Sequence, residues 1–237
     1  MDREAVLYLC DLHGSLLVLC VKIFSGISHR SIFSRIFHSP EPKARSPIPM
    51  SSIRSLKPNV TRDDVIRQFS GGGPSAALRN VLYGRLRSVA ELYIPFRLFR
   101  VQITNRGVFE EKLMALDAVT GTLDLFQFDH IPNGTETITV DTRNCPSSVL
   151  ADSLLTDRVL AKLRRILYSN GFFKMRDLQL SAVPLPDELH IPYWIGFRGS
   201  ENHVRLFVID AVRRRTEGAK VRRLVEEWLA QKSESGK

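Results

Sequence analysis

Glu91-Leu92-Tyr93-Ile94-Pro95-Phe96 and Glu188-Leu189-His190-Ile191-Pro192-Tyr193 are two versions of one segment. Each is followed by a second shared stretch, Ala115-Leu116-Asp117-Ala118-Val119 in the first case and Val208-Ile209-Asp210-Ala211-Val212 in the second. Two matched segments in the same order are the mark of a duplicated supersecondary unit. Ile94 and Asp117 are 23 positions apart and Ile191 and Asp210 are 19 apart, a difference that the turn between them can hold. Each unit reads as a helix, an Ile-Pro-aromatic entry into a strand, a turn, and a second strand ending at Asp-Ala-Val. The units span about residues 76–128 and 153–229. They predict an α+β fold: an antiparallel sheet from two related helix-plus-hairpin units, with the helices packed on one face.

The elements around the repeat follow from local chemistry. Leu78, Val81, Leu82, Leu86 and Val89 recur at helical spacing and predict a helix over Ala76–Ala90. Leu155, Val159, Leu163, Ile166 and Leu167 do the same from Ser153 to Ser169, where Asn170-Gly171 supplies a stop. Thr61 ahead of Asp63 and Asp64 caps a short helix, which ends at Ser70-Gly71-Gly72-Gly73-Pro74-Ser75. Phe99, Val101 and Ile103 alternate with polar residues, and Asn105-Arg106-Gly107 leads into a second run, Lys112–Val119, as in a hairpin. Further strands are predicted at Glu136–Asp141 and at Asp177–Ala182. A terminal helix over Glu217–Gln231 carries Val221, Leu224, Val225, Trp228 and Leu229 on one face.

Residues 1–49 differ from the rest. Leu12–Val21 is an apolar run of ten bounded by Asp11 and Lys22, short of the ~20 residues a membrane helix needs. Ser39-Pro40-Glu41-Pro42 through Pro47-Ile48-Pro49 is a linker, and Met50 stands directly after it. The expected organisation is a non-native or flexible extension over 1–49 and one α+β domain over 50–237. Anchoring to a membrane through residues 5–27 is the alternative.

Lys and Arg number 34 against 25 Asp and Glu, a net charge of +9, with ordinary globular proportions of 43% hydrophobic and 25% charged residues. This excludes a membrane bundle and a disordered chain and raises the prospect of a polyanionic partner. Three cysteines with no C-x-x-C pair fit a reducing compartment, so a cytoplasmic location is expected. Arg213, Arg214, Arg215, Arg222 and Arg223 flank the terminal helix and are the polyanion-binding candidates. Tyr93, Phe96, Tyr193 and Trp194 are candidates for a ligand-facing aromatic surface, against the plainer reading that they fill the core.

Catalytic chemistry has no motif here. Asp117 and Asp210 are the one carboxylate pair of interest, and a strand-end Asp more often accepts hydrogen bonds from its following turn. His130, His190 and His203 form no H-x-H or H-E-x-x-H pattern, so neither metal nor cofactor is expected. Cys145 has no base beside it, and Gly71–Gly73 lacks a following Gly-Lys-Ser/Thr.

Around Leu116-Asp117-Ala118-Val119-Thr120-Gly121-Thr122-Leu123 the first unit resembles the PepSY-like family, whose hairpins carry an Asp-x-x-Thr-Gly turn after a strand. The second unit has Arg213-Arg214 in place of Thr-Gly. The resemblance implies a small binding or inhibitory module. The sequence thus points to a non-catalytic binding or interaction domain with a protein or small-ligand partner. A basic nucleic-acid-associated protein is the alternative, and an enzyme comes third.

Overall fold

The computed structural model describes residues 4–10, 16–22, 50–71, 73–169, 177–200 and 203–235. In chain order the elements are β1 (Glu4–Cys10), β2 (Leu16–Lys22), β3 (Ser51–Leu56), α1 (Arg62–Ser70), α2 (Gly73–Tyr83), β4 (Leu86–Asn105) and β5 (Val108–Asp117). Then follow β6 (Phe126–Phe128), β7 (Thr137–Thr142), α3 (Asp152–Ser169), β8 (Gln179–Ser200), β9 (His203–Asp210), β10 (Arg215–Thr216) and α4 (Ala219–Ser235). β1 and β2 pair only with each other, so residues 4–10 and 16–22 of the apolar N-terminal segment are strands. Residues 23–27 of that segment, and the expected stop at Asn170-Gly171, lie outside the described residues.

The main sheet runs β10-β9-β8-β4-β5-β6, with β3 bridging β7 and β8. β3 meets β8 in parallel, Ser55 opposite His190, so the sheet of eight strands is mixed and the wholly antiparallel expectation is corrected. At its centre β4 and β8 are antiparallel with Ile94 opposite Ile191. Phe96 stands opposite Asp117 and Tyr193 opposite Asp210, so the shared segments occupy matching places in the two hairpins. Each strand of the first hairpin runs two residues further: Ile94 to Asn105 against Ile191 to Ser200, and Val108 to Asp117 against His203 to Asp210. The first tip is closed by Arg106 and Gly107 with φ of 53° and 77°, the doubly positive pair that suits the twist of a tight hairpin.

The Ile-Pro-aromatic segments lie mid-strand, not at strand entries as the sequence predicts. A proline in a central strand normally costs a ladder bond. Here the Pro95 carbonyl accepts from Ala118 N–H (2.9 Å) and the Pro192 carbonyl from Ala211 N–H (3.0 Å). Each proline nitrogen therefore faces the flank where β5 or β9 has just ended. The carbonyls it would have supplied take other donors: Ala118 accepts from Val149 and Leu150 (3.1 and 3.2 Å), and Ala211 accepts from Asn59 (2.7 Å). Both prolines thus free an acceptor that fastens the loop leading into a helix, α3 in one case and α1 in the other.

Helices on one face are also corrected, because the central strands are apolar on both faces and both must be covered. Leu92, Ile94 and Phe96 of β4, with Ile191, Tyr193 and Ile195 of β8, point to one side. There Val221, Leu224, Val225 and Leu229 of α4 pack on them. On the other side Phe99, Val101 and Ile103 meet Leu155, Val159 and Leu163 of α3. Trp194 and Ile209 meet Val65 and Phe69 of α1 on that same side. The helix before the second hairpin thus covers the first, and α1, before the first, covers the second. The expected helix over Ala76–Ala90 stops at Tyr83. Gly84 takes φ +76°, and a Cβ there would lie 2.5 Å from the Gly199 Cα, so the chain turns into β4 and Leu86 and Val89 become strand residues.

Candidate functional site

An open groove of about 980 Å³ runs along β9 and α4. Its walls are Tyr83 at the end of α2, residues 204–207 of β9, the first turns of α4, and Thr120 and Thr122. The Val208 carbonyl accepts from Glu217 N–H (2.8 Å), so it points away from β8. By the two-residue strand period, Val204 and Leu206 aim their backbone groups the same way, into the groove. β10 pairs only with Asp210 and Ile209, so among the described strands none is hydrogen-bonded to this side of Val204–Val208, while the β1–β2 hairpin lies alongside, with β1 against α4 and β2 near β9. Arg205, Lys220, Arg222 and Arg223 line the groove against Glu226 and Glu227. Lys220 pairs with Asp124 at 2.6 Å and holds that carboxyl below its usual range, chiefly through the hydrogen bond. Arg223 pairs loosely with Glu227 (4.0 Å), and the Arg205 guanidinium sits 5.5 Å over the Tyr83 ring.

The five arginines singled out in the sequence do not form one surface. Arg222 and Arg223 lie exposed in the groove. Arg213 turns inward: its guanidinium lies 3.5 Å over the Phe126 ring, donates to the Leu125 carbonyl (3.3 Å) and sits 3.9 Å from the Asp210 carboxylate. Burial lowers its pKa, with Asp210 opposing. Arg215 is bound to Glu217 (2.8 Å), and Arg214 is an exposed turn residue with φ +57°. Arg205 and Lys220 were absent from the sequence reading. The signal for Arg205 was its place in the alternation Val204-Arg205-Leu206, which puts it on the face opposite the core residues.

The four aromatic candidates are core residues, with Tyr93, Phe96, Tyr193 and Trp194 all 5% exposed or less. Tyr93 donates to Glu91 (2.8 Å) and the Trp194 indole to the Val60 carbonyl (3.2 Å), so their polar ends are satisfied inside. Asp117 and Asp210 are fully buried, and each serves its own turn. Asp117 Oδ1 accepts from the N–H of Thr120 (2.7 Å) and Gly121 (2.8 Å) and from the Thr120 hydroxyl (2.9 Å), while Oδ2 accepts from Leu123 N–H (2.8 Å). Asp210 Oδ1 accepts from Val212 and Arg213 N–H, both at 2.8 Å. Burial pushes the Cys145 thiol up to about 12, the wrong direction for a nucleophile.

Among the described residues, no group of three His, Cys, Asp or Glu side chains is placed to hold a metal, and no helix is long and apolar enough to cross a membrane. Comparison with protein-family models, with curated proteins and with solved structures finds no match to this chain. The PepSY-like resemblance therefore rests on the Asp117 turn alone.

Proposed function

We propose that this chain is a non-catalytic binding domain that holds an anionic partner in the groove between the β9 edge and α4. The observation that carries this is the convergence of Arg205, Lys220, Arg222 and Arg223 from two elements on one open groove, beside the backbone of an edge strand. Clustered cations raise the local concentration of an anionic partner, and edge backbone groups give an extended one a place to hydrogen-bond. The buried carboxylates are committed to turn backbones, which supports a binding role over acid–base work. The nucleic-acid alternative loses Arg213 and Arg215 to internal partners.

The test is titration of the full chain with fluorescein-labelled polyglutamate and, separately, a labelled DNA duplex, at several salt concentrations. Salt-sensitive polyglutamate binding, lost in the variant Arg205→Glu/Arg222→Glu/Arg223→Glu, is the expected result. Failure of both polymers to bind at low salt would overturn the proposal. A duplex bound far more tightly than polyglutamate, its log affinity falling by about 0.9 per contacted phosphate with log salt, would install nucleic-acid binding instead.

A further inference from the structure

The turn after Asp117 receives a half-buried ammonium group that has no ion-pair partner. Lys162 of α3 donates from Nζ to the Thr122 carbonyl (2.9 Å), a neutral acceptor, and makes no ion pair among the described residues. Burial lowers its pKa, and repulsion from Lys220 of α4 lowers it further, with Asp124 and Asp117 opposing. A cation drawn out of water ordinarily has a counter-ion. Asp124, the exposed carboxylate of the same turn, is instead held by Lys220 at 2.6 Å, with Lys162 and Arg215 acting on it as well. Arg215 is itself bound to Glu217 (2.8 Å). Two more cations stand close: Arg158 donates to the Thr120 carbonyl, and Arg165, one turn along α3, repels Lys162. Around this turn the cations outnumber Asp117, Asp124 and Glu217.

The same turn offers a hydroxyl donor. Thr120 and Thr122 line the groove with Lys220, and their Oγ1 atoms are 2.8 Å apart. The Thr120 hydroxyl gives its proton to Asp117 (2.9 Å), so between the two threonines Thr122 is the donor. Thr122 is exposed, and rotation about its Cβ–Oγ1 bond turns that proton toward a charged acceptor, which makes the stronger hydrogen bond. Donors therefore converge on this part of the groove wall from α3, from α4 and from the turn between β5 and β6.

We infer that this part of the groove binds a phosphate monoester, with Lys162 and Lys220 donating to its oxygens from α3 and α4, Thr122 donating its hydroxyl, and the exposed Asp124 carboxylate turning aside. Near neutral pH such a group carries a charge of about −1.5 to −2 and three strong acceptor oxygens, which suits two ammonium groups and a hydroxyl arriving from three elements. A carboxylate brings a single charge on a flat pair of oxygens, and a phosphodiester also brings a single charge. Binding gives Lys162 the counter-ion that the protein does not supply. The inference rests on the reading of the groove as an anion-binding surface and names the group that the Thr122 end of it selects.

The test is calorimetric titration of the full chain with inorganic phosphate and with a short neutral peptide carrying phosphoserine, the same peptide with serine serving as control. Parallel measurements use Lys162→Gln, Thr122→Val and Asp124→Asn, each with its melting midpoint compared with the native chain. The phosphopeptide should bind about tenfold or more tighter than the serine peptide. Lys162→Gln should remove most of that preference and Thr122→Val part of it, while Asp124→Asn, which deletes a like charge, should increase it. Inorganic phosphate should compete for the same site with the same dependence on Lys162. Phosphate bound as tightly as the phosphopeptide assigns the free ion as ligand, and weaker phosphate binding assigns a phosphorylated partner. Polyglutamate binding without Lys162-dependent binding of either phosphate ligand would overturn this inference and leave the groove reading standing. Lys162-dependent phosphate binding without polyglutamate binding would overturn the groove reading and keep the phosphate site. Where Lys162→Gln lowers the melting midpoint, Asp124→Asn decides, and no gain in phosphopeptide affinity there overturns the inference as well.

Discussion

The turns after Asp117 and Asp210 begin from the same place in the ladder, opposite Phe96 and Tyr193, and end as different devices. Asp117 gathers four donors because Thr120 and Gly121 let the chain wrap round the carboxylate, with Gly121 at φ +62°. Asp210 gathers two backbone donors on one oxygen. Its Oδ2 is buried with no hydrogen bond, 3.9 Å from the Arg213 Nε. Where the first turn wraps its own carboxylate and offers the Thr120 and Thr122 carbonyls to Arg158 and Lys162 of α3, the second sends Arg213 across to Leu125 and Phe126 at the start of β6. A repeated Asp therefore preserves the end of a strand, while the residues that follow decide whether the turn receives side chains from a neighbour or sends one out.

Replacing each aspartate by Ala separates these devices most widely. Asp117→Ala leaves several buried N–H groups without acceptors and should cost about 3–5 kcal/mol in urea unfolding. Asp210→Ala removes two such bonds and should cost about 1–2 kcal/mol. Equal losses would break the comparison.

Backbone conformation gives a smaller effect of opposite sign in the two turns. Gly121→Ala puts a Cβ at positive φ, 2.7 Å from the Arg158 side chain, and should lower stability by about 1–2 kcal/mol. Arg214 holds φ +57° without being glycine. Arg214→Gly should therefore raise the thermal midpoint, by about 0.5–1 kcal/mol of stability after the extra unfolded-chain entropy is counted. Destabilisation by both changes would show that Arg214 matters for its side chain.

The smallest expected effect lies at the start of the shared segment, where Tyr93 has His190 as its counterpart. His190 is buried, with Nδ1 3.1 Å from the Arg54 carbonyl and Nε2 3.6 Å from Glu188. Burial lowers its pKa from the ordinary 6.5, against the opposing pull of the Arg54 carbonyl and Glu188. The folded state thus favours the neutral ring. Its contribution is complete above the ordinary value and is lost as pH falls through the lowered one. The melting midpoint should drop on acidification below about 6.5, and His190→Gln should flatten part of that drop. An identical pH profile for the variant would show that the ring does not sense its burial.

Local chemistry was legible in the sequence wherever neighbouring residues settle it. Thr61 and Asp64 form a reciprocal cap on α1. The Asn105-Arg106-Gly107 hairpin forms, and Leu155, Val159 and Leu163 give α3 its buried face. The two copies of Ile-Pro-aromatic and Asp-Ala-Val marked the strands that pair at the centre. What those strands pair with, and which helix covers which hairpin, depended on contacts between residues far apart in the chain. Ser55 meets His190 across 135 positions, and Asn59 reaches the carbonyl of Ala211. The groove belongs to the same class, since Arg205 and Arg222 approach each other only when α4 docks beside β9. Residues close in sequence fix turns, caps and periods by local sterics and hydrogen bonds, and sequence alone reveals them. The pairing of distant strands, the exchange of covering helices and the gathering of cations come from burying both faces of one sheet at once, which only the folded chain decides.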